Sequence, residues 1–129
     1  SFRTVASNRE MLEAAFPPER FTPPGHDSRK EYNAMERYLK TFSNRTIRNI
    51  FWSANNYALP KVPAECGTKI TYWYGCDEKK DRRYNIRFIK HYFPQIRVHG
   101  IPKMAHAELV LVHPELFDHY AEKFLKPEE

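Results

Sequence analysis

The chain has 129 residues, a net charge of +5, 41% hydrophobic and 15% aromatic residues, and an isoelectric point near 9.2. That composition suffices for one globular domain and excludes a disordered chain. No apolar run is long enough to span a bilayer and no signal-peptide pattern opens the sequence, so a soluble, cytoplasmic protein with no membrane partner is expected.

The excess charge is +3 over residues 1–67 and +2 over residues 68–129. Such even spreading argues against a nucleic-acid partner. The densest basic stretch is Lys79-Lys80-Asp81-Arg82-Arg83, followed by Arg87 and Lys90, and it reads as the solvated face of a helix. The chain opens at Ser1 without a methionine, as a truncated or processed product would.

The first element is a helix. Ser7-Asn8-Arg9-Glu10 forms a capping-box pattern, with Met11, Leu12, Ala15 and Phe16 on one side. Phe16-Pro17-Pro18 ends it, and a loop through Thr22-Pro23-Pro24-Gly25 follows. Ser28-Arg29-Lys30-Glu31 is a second capping box, whose helix carries Met35, Tyr38, Leu39 and Phe42 as an apolar stripe. Ser43 or Asn44 caps a third helix, with Ile47, Ile50, Phe51 and Ala54 at the same spacing. Short aromatic helices with proline-rich joints suit a lid over another body. The chain divides near Leu59-Pro60-Lys61-Val62-Pro63, which gives a helical cap over residues 1–60 and a second region over residues 61–129.

After Pro63 the period changes. Lys69 to Tyr74 is β-branched and aromatic with apolar groups on both faces, as in a strand covered on both sides, and Gly75 ends it. A helix from Glu78 to Tyr92 turns Ile86, Ile89 and Phe93 inward, and Pro94 stops it. Gln95 to Ile101 reads as a second strand. A last helix has Pro114 in its first turn and packs Leu116, Phe117, Tyr120 and Phe124. The fold class is therefore α/β: a β-α-β-α unit with two parallel strands in a right-handed arrangement. Two parallel strands make no stable sheet alone, so the rest is expected from another chain, from a second copy, or from sequence before Ser1.

Cys66 and Cys76 bracket the first strand. An extended segment of that length holds the two sulfurs roughly 30 Å apart, at about 3.3 Å per residue. They cannot pair within one folded chain, and free thiols suit a reducing compartment. No zinc spacing is present.

The segments Tyr74-Gly75-Cys76-Asp77-Glu78 and Met104-Ala105-His106-Ala107-Glu108-Leu109 each follow a strand, the first delivering an acid and the second a histidine. Residues 68–129 on this pattern resemble the C-terminal end of an α/β-hydrolase of the esterase or lipase type. In that family an acid follows the next-to-last strand and the triad histidine follows the last. The resemblance implies that residues 1–60 are the inserted cap and that the sheet is incomplete on its own. It implies His106 as base and Glu78 or Asp77 as the orienting acid of a serine hydrolase acting on a carboxylic ester or related small acyl substrate.

The family's Gly-x-Ser-x-Gly elbow is missing: the chain has four glycines and none in that pattern. The chain alone is therefore expected to be inactive. A non-catalytic module acting by self-association or partner binding is the alternative. Alanines at 105 and 107 stand where glycines are common in the family.

The residues permit other roles. Asp77 is a natural helix N-cap, and Glu78 in a first turn complements the helix dipole. Glu108 is expected to support the loop, and His91, His99, His113 and His119 to lie at surfaces or boundaries. Ser7, Ser28 and Ser43 look like helix caps, and no serine stands out as a nucleophile. Phe51, Trp52 and Tyr57 either line an apolar acyl pocket or form the core of the cap. No metal or organic cofactor is implied.

Overall fold

A computed structural model describes residues 9–61 and 67–126. Ser7 and Cys66, read above as a cap and a free thiol, lie outside the described residues. The chain forms two compact units, Ser1–Ala64 and Glu65–Glu129.

The first unit is helical. Helix α1 (Arg9–Ala15) is followed by a single turn, α2 (Pro18–Phe21), then α3 (Ser28–Lys40) and α4 (Asn44–Asn56). The sequence reading had a loop where α2 stands; Pro18 at its first position starts it, since a proline there gives up no needed hydrogen bond. The second capping box is corrected. Asp27, in extended backbone, accepts from the Lys30 N–H at 3.0 Å, and Ser28 is already helical. Glu31 turns to His26 Nδ1 at 2.6 Å instead of back to a cap N–H. Ser43 does cap α4, accepting from the Thr46 N–H at 3.1 Å.

Packing in this unit centres on Leu12 and Tyr32, each 1% exposed. The Tyr32 hydroxyl donates to the Phe16 carbonyl, and Phe16 meets Phe21 edge-on at 5.4 Å. Arg9 bonds Glu36 at 3.0 Å and lies 5.9 Å over the Tyr32 ring. The inward stripe of α3 thus runs through Tyr32, Met35 and Leu39, while Tyr38 of the expected stripe is exposed. Tyr38 lies about a third of a turn off the Tyr32–Leu39 line at 3.6 residues per turn. Helix α4 buries no residue, and its Ile50 and Phe51 are exposed.

The second unit is the β-α-β-α arrangement, with two additional short turns. Strand β1 (Thr71–Gly75) leads into a 3-10 turn (Cys76–Glu78) and then α5 (Lys79–Tyr92). Strand β2 (Arg97–Ile101) is followed by α6 (Glu108–Val112) and α7 (Pro114–Leu125). The strands pair in parallel, Thr71 beside Arg97 through Gly75 beside Ile101. Because the Arg97 N–H donates to the Ile70 carbonyl, the ladder uses the even-numbered residues of β1. Thr71 and Trp73 turn their backbone groups to the opposite edge, where no further strand pairs among the described residues.

Ile101, Met104 and Leu109 form the core, with Trp73, Leu116, Phe117, Tyr120 and Phe124 packed on it. Full burial of such side chains stabilises by about 1.5–3 kcal/mol each. Ile86 and Ile89 of α5 are half-buried, as their spacing suggests. No helix among the described residues is long and apolar enough to cross a membrane.

Candidate active site

Strand β1 ends against the loop that follows β2. A Cβ on Gly75 would sit 2.1 Å from the Met104 carbonyl oxygen and 2.7 Å from that of Ala105. Only a glycine lets the two backbones approach so closely. The Asp77 N–H then donates to the Met104 carbonyl at 3.1 Å, which ties the acid turn to the histidine loop. Glu108, buried, accepts from the Ala105 N–H at 2.8 Å and holds the loop from its other end, the supporting role expected of it. Two residues of this loop take left-handed backbone, Lys103 (φ 58°) and Ala107 (φ 60°). Left-handed backbone at position 107 is a physical reason for glycine to suit the place where this chain has alanine.

This scaffold brings Glu78 and His106 together. His106 Nδ1 lies 2.9 Å from Glu78 Oε2. The Glu78 side chain is 11% exposed and the imidazole 69%. Glu78 Oε1 accepts from the Gly75 N–H at 3.3 Å. Arg82 Nε donates to Oε2 at 2.6 Å, and Arg82 Nη2 lies 3.2 Å from His106 Nδ1. Burial works against the Glu78 carboxylate, yet the Arg82 hydrogen bond, the His106 and Arg82 charges and the Gly75 N–H together hold its pKa below the ordinary value. The same pairing raises the pKa of Arg82. A carboxylate on Nδ1 fixes an N–H there and leaves Nε2 as the basic nitrogen, the arrangement general-base catalysis needs.

Asp77 is not brought to the histidine. It lines a separate depression with Cys76, Lys79, Lys80 and Arg83. Nor is it the cap of α5: the cap position is Glu78, whose side chain makes no capping bond. Cys76 is a free, exposed thiol in that second depression.

Beside the dyad lies a cavity of about 350 Å³. Its walls include Tyr72, Trp73, Tyr74, Met104, Leu109 and Phe117, with Glu78, Arg82 and His106 as its charged groups. Among the described residues, no serine, threonine or cysteine lines it. Phe51, Trp52 and Tyr57 belong to the first unit and are 47%, 66% and 71% exposed, so they do not form the core of that unit.

Arg82 is the site residue that the sequence reading missed, having been assigned to a solvated helix face. The available signal was its spacing: Glu78 and Arg82 stand four apart, which puts them on one side of a helical turn. His99, expected at a surface or boundary, is half-buried in β2. It stacks on Phe124 with centroids 3.7 Å apart, and its Nε2 is buried without a hydrogen-bond partner. Burial, then the Arg97 and Lys123 charges, pushes its pKa down. No group of three or more His, Cys, Asp or Glu among the described residues is placed to hold a metal ion.

No protein-family model, curated protein or solved structure matches this chain.

Proposed function

We propose that this chain supplies the base and the orienting acid of a serine hydrolase of the α/β-hydrolase type, acting on a carboxylic ester or related acyl substrate. The observation that carries the reading is the 2.9 Å contact of His106 Nδ1 with Glu78 Oε2, at the ends of two adjacent parallel strands and beside an apolar cavity. In this reading Nε2 of His106 takes the proton of a serine hydroxyl as it attacks the acyl carbon, and returns it to the leaving alcohol. Glu78 holds the tautomer and offsets the positive charge that develops on the ring. Residues 1–60 act as the cap, the nucleophile and oxyanion donors come from outside residues 1–129, and the chain alone is inactive. A reducing, cytoplasmic setting suits the free thiol of Cys76.

The test is labelling of the protein purified from its source with a serine-reactive phosphonate, with native mass spectrometry of the labelled species. Labelling of a serine outside residues 1–129, and at least about a 10³-fold loss of ester turnover in His106→Ala, are expected. Unchanged turnover in that variant overturns the reading.

A second reading, a non-catalytic module that works by association, is favoured by the edge of β1 on which no further strand pairs among the described residues. The outward backbone groups of Thr71 and Trp73 are a template for an added strand. Thr71→Pro removes one outward N–H and leaves the β1–β2 ladder intact. In this second reading it dissociates the assembly, whereas Val98→Pro on the outer edge of β2 does not.

A further inference from the structure

The hydrogen-bond donors of the cavity converge on one carboxylate. Among the described residues, Glu78 is the single acid on its wall, beside Arg82 and His106. Its carboxylate is already shared among the Gly75 N–H, Arg82 Nε and His106 Nδ1. The other acid of the loop, Glu108, is buried and bonded to the Ala105 N–H.

The bonding of Arg82 shows the same shortage. Nε has Glu78 as acceptor, and Nη2 has His106 Nδ1 at 3.2 Å. Nδ1 cannot serve both neighbours. If it donates its proton to Glu78, its lone pair is gone and the Nη2–H groups lose their acceptor. If it accepts from Nη2, it faces the Glu78 oxygen lone pair to lone pair at 2.9 Å. The charge-assisted bond to Glu78 is the stronger of the two. Arg82 is left with guanidinium donors beside the cavity, half-buried and held in place through Nε. The rest of the wall is apolar and aromatic: Trp73, Ile101, Met104, Leu109, Val110 and Phe117. A volume of about 350 Å³ is at the small end of ligand sites, which run from roughly 300 to 1,000 Å³.

We propose that this cavity takes a small apolar anion, an aryl or branched-chain carboxylate or an acyl ester that bears one, with Arg82 holding the negative charge. The inference rests on the hydrolase reading of the same site and names its substrate class. The anion supplies the acceptor that Nη2 lacks and draws the guanidinium away from the imidazole. That leaves the Nδ1–H to Glu78 bond uncontested, so binding orders the dyad as well as filling the cavity.

The experiment is a nuclear magnetic resonance titration of the ¹⁵N-labelled protein with phenylacetate and, separately, with its neutral isostere phenylacetamide, at about 0.15 M salt. The amides of Ala105, His106 and Ala107 and the Arg82 Nε–H report on the site. Phenylacetate is expected to shift these signals and to bind at least about tenfold more tightly than the amide, a gap of about 1.4 kcal/mol. Arg82→Gln closes that gap and Arg82→Lys retains most of it, with the remaining spectrum unchanged as the control for folding. Equal affinity for the two probes overturns the proposal. So does a gap that persists in Arg82→Gln, shifts confined to the Lys79, Lys80 and Arg83 depression, or no shift with either probe. Ester turnover does not enter this measurement, so the proposal and the hydrolase reading fail separately.

Discussion

Replacing Gly75 by alanine tests the joint on which the site is built. The backbone at this position, φ −72° and ψ 132°, is open to any residue, so the substitution carries no conformational penalty. The cost is steric. The new methyl group would stand 2.1 Å from the Met104 oxygen, 2.6 Å from its carbonyl carbon and 2.7 Å from the Ala105 oxygen, where ordinary contact begins at 3.4 Å. All three obstacles are backbone, so no side chain can swing aside. Loop and strand end must separate by about 1 Å, at an overpacking cost of roughly 1–3 kcal/mol. The bond from the Asp77 N–H to the Met104 carbonyl breaks as well, adding about 1 kcal/mol. The same movement carries His106 out of reach of Glu78. Denaturant unfolding is expected to show a loss of about 2–4 kcal/mol, and the ¹⁵N signature of a hydrogen-bonded Nδ1–H should disappear. A variant within about 0.5 kcal/mol of the parent, the scale of an ordinary surface change, with that signature intact would refute the reasoning.

Ala107→Gly is expected to stabilise by about 1 kcal/mol by relieving the left-handed backbone at φ 60°, read as a higher unfolding midpoint; a lower midpoint counts against it. Glu78 has a lowered folded-state pKa, so its contribution is present above the usual 4.5 and is lost as pH falls below it; in Glu78→Gln the acid limb of the stability curve should flatten there. His99 is also lowered, from 6.5, so the unfolded chain takes up its proton first and stability declines as pH drops through and below that value. His99→Phe should remove this decline, and a curve unchanged as pH falls below the ordinary 6.5 would be the contrary result.

Much of the second unit was legible in the chain. The aromatic, β-branched run before Gly75, the basic helix stopped by Pro94 and the Pro114 helix with its Leu116, Phe117, Tyr120 and Phe124 face are all local patterns, and local patterns set local structure. The parallel pairing of the strands followed from the intervening helix. The first unit was less legible. Asp27 and Ser28 both suit a cap, and only the backbone turn decides between them. Tyr32 and Tyr38 are both tyrosines of one helix, and only the tertiary fold, which brings the Tyr32 hydroxyl to the Phe16 carbonyl, buries the first and leaves the second exposed.

By itself, then, the sequence determined that an acid-bearing turn and a histidine-bearing loop each follow a strand, because strands, helices and their punctuation are written in short-range periodicity. Which acid meets the histidine, and that Arg82 joins them, was decided only in three dimensions. Glu78 and His106 stand 28 residues apart, and their contact depends on the approach of Gly75 to the Met104 carbonyl, a distance that neighbouring residues in the chain do not specify.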